Sequence, residues 1–216
     1  MIVCADDFGL TDGVSKAIID LARRRKVSAV SCMVEGQSFQ NYATELREVR
    51  DNIDIGLHIT LTNQPTNVCS PTLAPNGTLP TFTEILRLCY FRAIEYTEIL
   101  SSVIYQFELF ETKFGCSPDF VDGHHHVQNL PLVRNAILYC VKKIPKEKRP
   151  YIRVTKEKYT NILKRNIAIF KELQLSIMSK SLSILCRLEN LDVNNGFAGA
   201  YYFNQPTAYD QIFPKF

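Results

Sequence analysis

The sequence predicts an α/β fold with a parallel sheet, because short apolar runs alternate with stretches of helical periodicity along most of its 216 residues. Every histidine, and the one Asp-Asp pair, falls at or just after the C-terminal end of a predicted strand, where such folds gather their chemistry. The length suits a single domain over 1–216, since α/β barrels commonly run to about 200–250 residues as one unit.

Met1 to Ala5 is apolar throughout and predicts a buried strand, followed by a loop over Asp6 to Thr11. Asp12-Gly13 opens a helix with Val14, Ala17, Ile18, Leu21 and Ala22 at helical spacing, and the basic run 23–26 suits its C-terminus. Val27 to Val34 predicts a second strand, and Ser38 to Arg50 a second helix with Phe39, Tyr42, Ala43, Leu46 and Val49 inward. Ile53 to Leu61 predicts a third strand, carrying His58. Thr62 to Pro80 has no periodicity and reads as a long loop bordering a site.

Helices follow over Thr83 to Tyr90 and Ile94 to Phe114, the second apolar at 99, 100, 103, 104, 107 and 110. Gly115 to Pro118 turns into a strand, Asp119 to Asp122, that delivers His124-His125-His126 at its end. Leu132 to Lys143 predicts a helix, Tyr151 to Val154 a strand, and residues 156–173 one amphipathic helix. Ser176 to Leu188 fits strand or helix, and Asn194 to Phe203 is rich in glycine and aromatics.

A net charge of +3, without a long basic run, gives no reason to expect nucleic acid. No stretch of about 18 apolar residues suggests a membrane span. Seven cysteines form no CxxC pair, and an odd number cannot all pair within one chain, so a reduced, cytoplasmic setting is expected. The chain opens directly on a strand, without the features of a signal peptide.

Imidazoles and carboxylates together suit Zn²⁺, Mn²⁺ and related ions, and two histidines with one carboxylate make a sensible ligand set that leaves room for water. A second, adjacent carboxylate can serve as general base. An Asp-Asp pair after a strand can also be a turn or helix cap, and His58 alone can be a hydrogen-bonded core histidine. In an extended segment, His124 and His126 would share one face and His125 the other.

Ala5-Asp6-Asp7-Phe8-Gly9-Leu10, Gly56-Leu57-His58-Ile59-Thr60-Leu61-Thr62 and Val121-Asp122-Gly123-His124-His125-His126-Val127 resemble, in order and spacing, three motifs of the YdjC-like carbohydrate deacetylase family. The resemblance covers residues 1 to about 155, and Arg153 resembles a family arginine at a later strand end. It implies a distorted (β/α) TIM-barrel-like fold, hydrolysis of the acetamide of a small N-acetylated sugar, and a Mg²⁺ or Zn²⁺ cofactor. By motif position, Asp7, His58 and His124 would be metal ligands and Asp6 the base. His126 and Arg153 would meet substrate, with Asp122 and His125 orienting their neighbours. A homodimer also fits the resemblance.

Two departures bear on these expectations. Gln128 stands where the family motif often has a further histidine. The family's C-terminal His-Pro-Gly segment has no counterpart before Phe213-Pro214-Lys215-Phe216, although Asn194 to Tyr201 resembles the segment that precedes it. This leaves either a shortened relative or a chain lacking the family's last strand and helix, with His126, a carboxylic acid or water to protonate the leaving amine. It keeps open a non-catalytic metal- or sugar-binding relative, beside a metal-dependent hydrolase of another bond such as a phosphoester.

Overall fold

The computed structural model describes residues 1–202 and 213–215. The elements run β1 (Cys4–Phe8), α1 (Asp12–Arg23), β2 (Ala29–Cys32), α2 (Gln37–Arg47), β3 (Asp54–Ile59), α3 (Phe82–Tyr90), α4 (Tyr96–Phe114), β4 (Phe120–Gly123), α5 (Val133–Lys143), β5 (Tyr151–Ile152), α6 (Tyr159–Arg165), α7 (Ile169–Met178) and α8 (Lys180–Leu188). The strands lie in the order β1-β2-β3-β4-β5, and the first three neighbouring pairs are parallel. A parallel sheet in sequence order brings successive strand C-termini to one edge, so the chain ends of β1, β3 and β4 meet there.

The chain divides into two compact units, Met1–Tyr151 and Ile152–Phe216. In the first, α1, α2, α4 and α5 pack side by side and reach the sheet through α1 on β1 and α4 on β3. The sheet's apolar runs have the burial this requires, with Ala29, Val30, Ile55, Leu57 and Ile59 wholly inaccessible. Helix ends are specified locally. Thr11 Oγ1 accepts from Val14 N at the start of α1, Thr81 and Glu84 form a capping box on α3, and Gly115 ends α4 at φ 72°.

Gly56 permits a close approach at the centre of β3. A Cβ there would come within 2.4 Å of the buried Phe120 ring, which stacks on Tyr151 at 5.3 Å between centroids. Segment 62–80 is a folded arm: Asn63 N donates to Pro80 O, Leu79 N to Gln64 O and Thr66 N to Gly77 O. Glu35 anchors it by accepting from Thr66 Oγ1 at 2.7 Å and Asn67 N at 3.1 Å.

In the second unit, Arg165 pairs with Glu157 at 3.2 Å and Glu172 at 3.0 Å. Asn194 uses its side-chain amide like a neighbouring strand, accepting from Val154 N and donating to Val154 O. The single helix predicted over 156–173 is instead two, α6 and α7, because Asn166 and Ala168 adopt φ 55° and 42°. Asparagine tolerates that conformation and ends a helix readily. Ser176 to Leu188 is helical, completing α7 and forming α8. Phe203 and Phe216 lie outside the described residues. No helix among the described residues is long and apolar enough to cross a membrane, and all seven cysteines are free of disulfides.

Candidate metal centre

β3 and β4 set the centre's base by register, because His58 on β3 is the direct parallel partner of Asp122 on β4. The pleats of neighbouring strands are aligned, so directly paired residues project to the same side of the sheet. Their contact is short: His58 Nδ1 lies 2.5 Å from Asp122 Oδ1, with both residues buried. A carboxylate accepts only, so Nδ1 carries a hydrogen and Nε2 points outward from the pair.

That outward nitrogen lies 3.3 Å from Asp7 Oδ1, and His124 Nδ1 lies 2.8 Å from the same oxygen. The His58 and His124 rings meet edge to face at 5.6 Å. One ligand-type atom from each of Asp7, His58 and His124 falls within 4.8 Å of the others, and a second such group joins Asp6, His58 and Asp122.

Asp6 and Asp7 are consecutive, and in a regular strand they would point to opposite faces. The β1–β2 register instead shifts between Ala5 and Phe8, and Asp7 sits at φ 66°. Such a bulge re-aims a side chain, and here it brings both carboxylates to His58. Asp6 is exposed and accepts from the Cys4 thiol at 3.3 Å.

The electrostatics follow from this packing. Burial works against ionisation of Asp7, but hydrogen bonds and charge from His124 and His58 outweigh it and hold the carboxyl far below the usual range. Burial likewise disfavours a charged His58, yet the Asp122 carboxylate, with Asp7 and Asp6, raises it to about 10. Two imidazoles and an ionised carboxylate converging on one point are a donor set able to hold a divalent ion. The hydrogen bond behind His58 is the usual companion of a ligating imidazole.

The triple histidine departs from the alternation expected of it. Residues His124–Asn129 form a 3₁₀ turn, with His125 and His126 at φ 52° and 60°. The chain therefore curls at once after β4, and each ring is placed separately. His125 is exposed, with its Nδ1 2.9 Å from Thr62 Oγ1 and its ring 3.9 Å from that of His124. His126 is half-buried, and Arg153, just after β5, belongs to the second unit.

Ser31 was not anticipated. It is wholly buried on β2, with its Oγ 3.0 Å from His58 Nδ1 and 2.5 Å from Asp122 Oδ1. Its signal in the sequence is a single hydroxyl between Val30 and Cys32 in an otherwise apolar stretch. Gln106 is another: from α4 it closes the end of β3 by accepting from Thr60 N and donating to Thr60 O.

Residues 1–212 match the family described as YdjC-like protein. Over 128 residues the chain is 33% identical to the chitooligosaccharide deacetylase of Proteus mirabilis (strain HI4320), covering 59% of this chain and 49% of that protein. Over 138 residues it is 35% identical to the chitooligosaccharide deacetylase of Yersinia pestis bv. Antiqua (strain Angola), covering 62% and 52%. The chain spans about half the length of these curated relatives. A crystal structure from Enterococcus faecalis V583, of a protein named for cellobiose-phosphate cleavage, superposes with a TM-score of 0.64 over 95% of this chain and 70% of its own. At 20% identity that likeness shows a shared fold.

Proposed function

This chain belongs to the YdjC-like protein family, and from that membership we propose that it is a metal-dependent carbohydrate deacetylase acting on a small N-acetylated sugar. The observation that carries the reading is the convergence of His58 Nε2 and His124 Nδ1 on one oxygen of Asp7. Asp7, His58 and His124 would hold the ion, Mg²⁺ or Zn²⁺. Such an ion supplies Lewis acidity, which activates water and polarises the acetamide carbonyl.

Asp6, beside His58 yet exposed, would accept the proton of the attacking water as the carbon–oxygen bond forms. The carbon–nitrogen bond then breaks as a proton is delivered to the leaving amine by His126, by a carboxylic acid such as the now protonated Asp6, or by water, and acetate remains. Asp122 orients His58, His125 supports His124, and His126 would meet the sugar. The family match over residues 1–212 supports treating 1–216 as one functional domain. Free cysteines fit a reducing, cytoplasmic setting, and a homodimer belongs to the same proposal.

Acetate release from N-acetylglucosamine oligomers, with and without added Zn²⁺ or Mg²⁺, tests the reaction. Asp6→Asn should keep its metal and lose turnover. No acetate from any N-acetylated sugar under metal-replete conditions would overturn the proposal.

A further inference from the structure

We infer that Ser31 is a positioning residue of the candidate metal centre, acting through Asp122 and His58 to keep His58 Nε2 turned toward the metal position. This rests on the reading of Asp7, His58 and His124 as ligands. Ala29, Val30 and Cys32 around Ser31 on β2 are wholly buried apolar residues, and Ser31 is equally inaccessible. A hydroxyl in such a place is costly unless hydrogen-bonded.

The hydrogens can be counted. Ser31 has one to give, and the Asp122 carboxylate, 2.5 Å away, can only accept, so Ser31 Oγ donates to Asp122 Oδ1. What Ser31 then presents to His58 Nδ1, at 3.0 Å, is a lone pair. Asp122 Oδ1 also presents a lone pair to that nitrogen, at 2.5 Å. Two acceptors face Nδ1, so Nδ1 holds a hydrogen whether the ring is neutral or charged. A neutral His58 must then carry its free electron pair on Nε2, the atom aimed at Asp7.

Asp122 alone could accept the Nδ1 hydrogen, but its carboxylate could also swing about its own side-chain bonds. The Ser31 hydroxyl fixes Oδ1 from a third strand, so β2, β3 and β4 together define one imidazole orientation. Partners of this kind behind a metal ligand typically change affinity by about 10–100-fold when removed.

Zn²⁺ affinity, measured by competition with a chromophoric chelator, tests the inference. Ser31→Ala should weaken Zn²⁺ by roughly tenfold, and Ser31→Thr, which keeps the hydroxyl, should restore most of the loss. In an Asp122→Asn background, Ser31→Ala should add little further loss. Wild-type affinity in Ser31→Ala would overturn the inference, as would equal losses in the alanine and threonine variants. Melting temperatures of the metal-free single and double variants supply a readout independent of metal. Non-additive shifts for Ser31→Ala and Asp122→Asn are expected, and strictly additive shifts would contradict the link. If wild type takes up no metal, the metal reading fails, while these melting shifts still decide whether Ser31 acts through Asp122.

Discussion

His58 and Asp122 are direct partners on adjacent parallel strands, and their side chains meet at 2.5 Å on the sheet face that carries Asp7's two imidazole contacts. Strand register, rather than a flexible loop, thus sets the direction of His58. Replacing Asp122 with asparagine retains an oxygen for the Nδ1 hydrogen but removes the charge. The expected result is Zn²⁺ binding weakened by about 10–100-fold with the fold retained, measured by chelator competition and circular dichroism. Unchanged affinity would remove Asp122 from the account.

Metal binding should depend on pH in a definite direction. In metal-free protein His58 is raised from its usual 6.5 to about 10, so its contribution to stability is complete below about 6.5 and is lost as pH rises toward 10. Asp7 is depressed, so its contribution is present above the usual 3.8 and lost as pH falls below it. A ligating His58 must give up its Nε2 hydrogen, so each ion bound releases a proton across pH 6.5 to 10. Zn²⁺ affinity should rise by roughly tenfold per pH unit there. Melting scans with and without Zn²⁺ should show a gap that widens with pH, and a constant gap would contradict this.

Gly56 should resist substitution. In Gly56→Ala the new Cβ would lie 2.4 Å from Phe120, whose ring is buried and stacked on Tyr151. Overpacking of this kind costs about 1–3 kcal/mol. The expected consequence is a melting temperature lowered by roughly 2–10 °C, measured by circular dichroism. An unchanged melting temperature would show that Phe120 can move aside.

The parts of this fold legible in the sequence are those where side-chain periodicity and backbone geometry agree. His58 and Asp122 lie on regular, apolar strands, so their positions at strand ends could be read from pattern alone. Asp7 lies on a bulge, and β1 runs over Cys4–Phe8, beyond the apolar run Met1 to Ala5. No periodicity encodes that irregularity, although it is what brings consecutive carboxylates to one histidine. His125 and His126 defeat alternation for the same reason, through positive φ. Ser31 was hidden differently: a small polar residue in a buried strand says nothing about its partner, which here comes from two strands away. The break at Asn166 to Ala168 shows the converse, since the apolar spacing over 156–173 continues across a turn that the backbone makes.

Whether Asp7, His58 and His124 hold one divalent ion can be read by elemental analysis. Protein supplied with Zn²⁺ and then desalted should retain a stoichiometric ion in wild type and in Asp6→Asn, and almost none in His58→Ala or His124→Ala. Full metal content in either histidine variant would contradict the assignment.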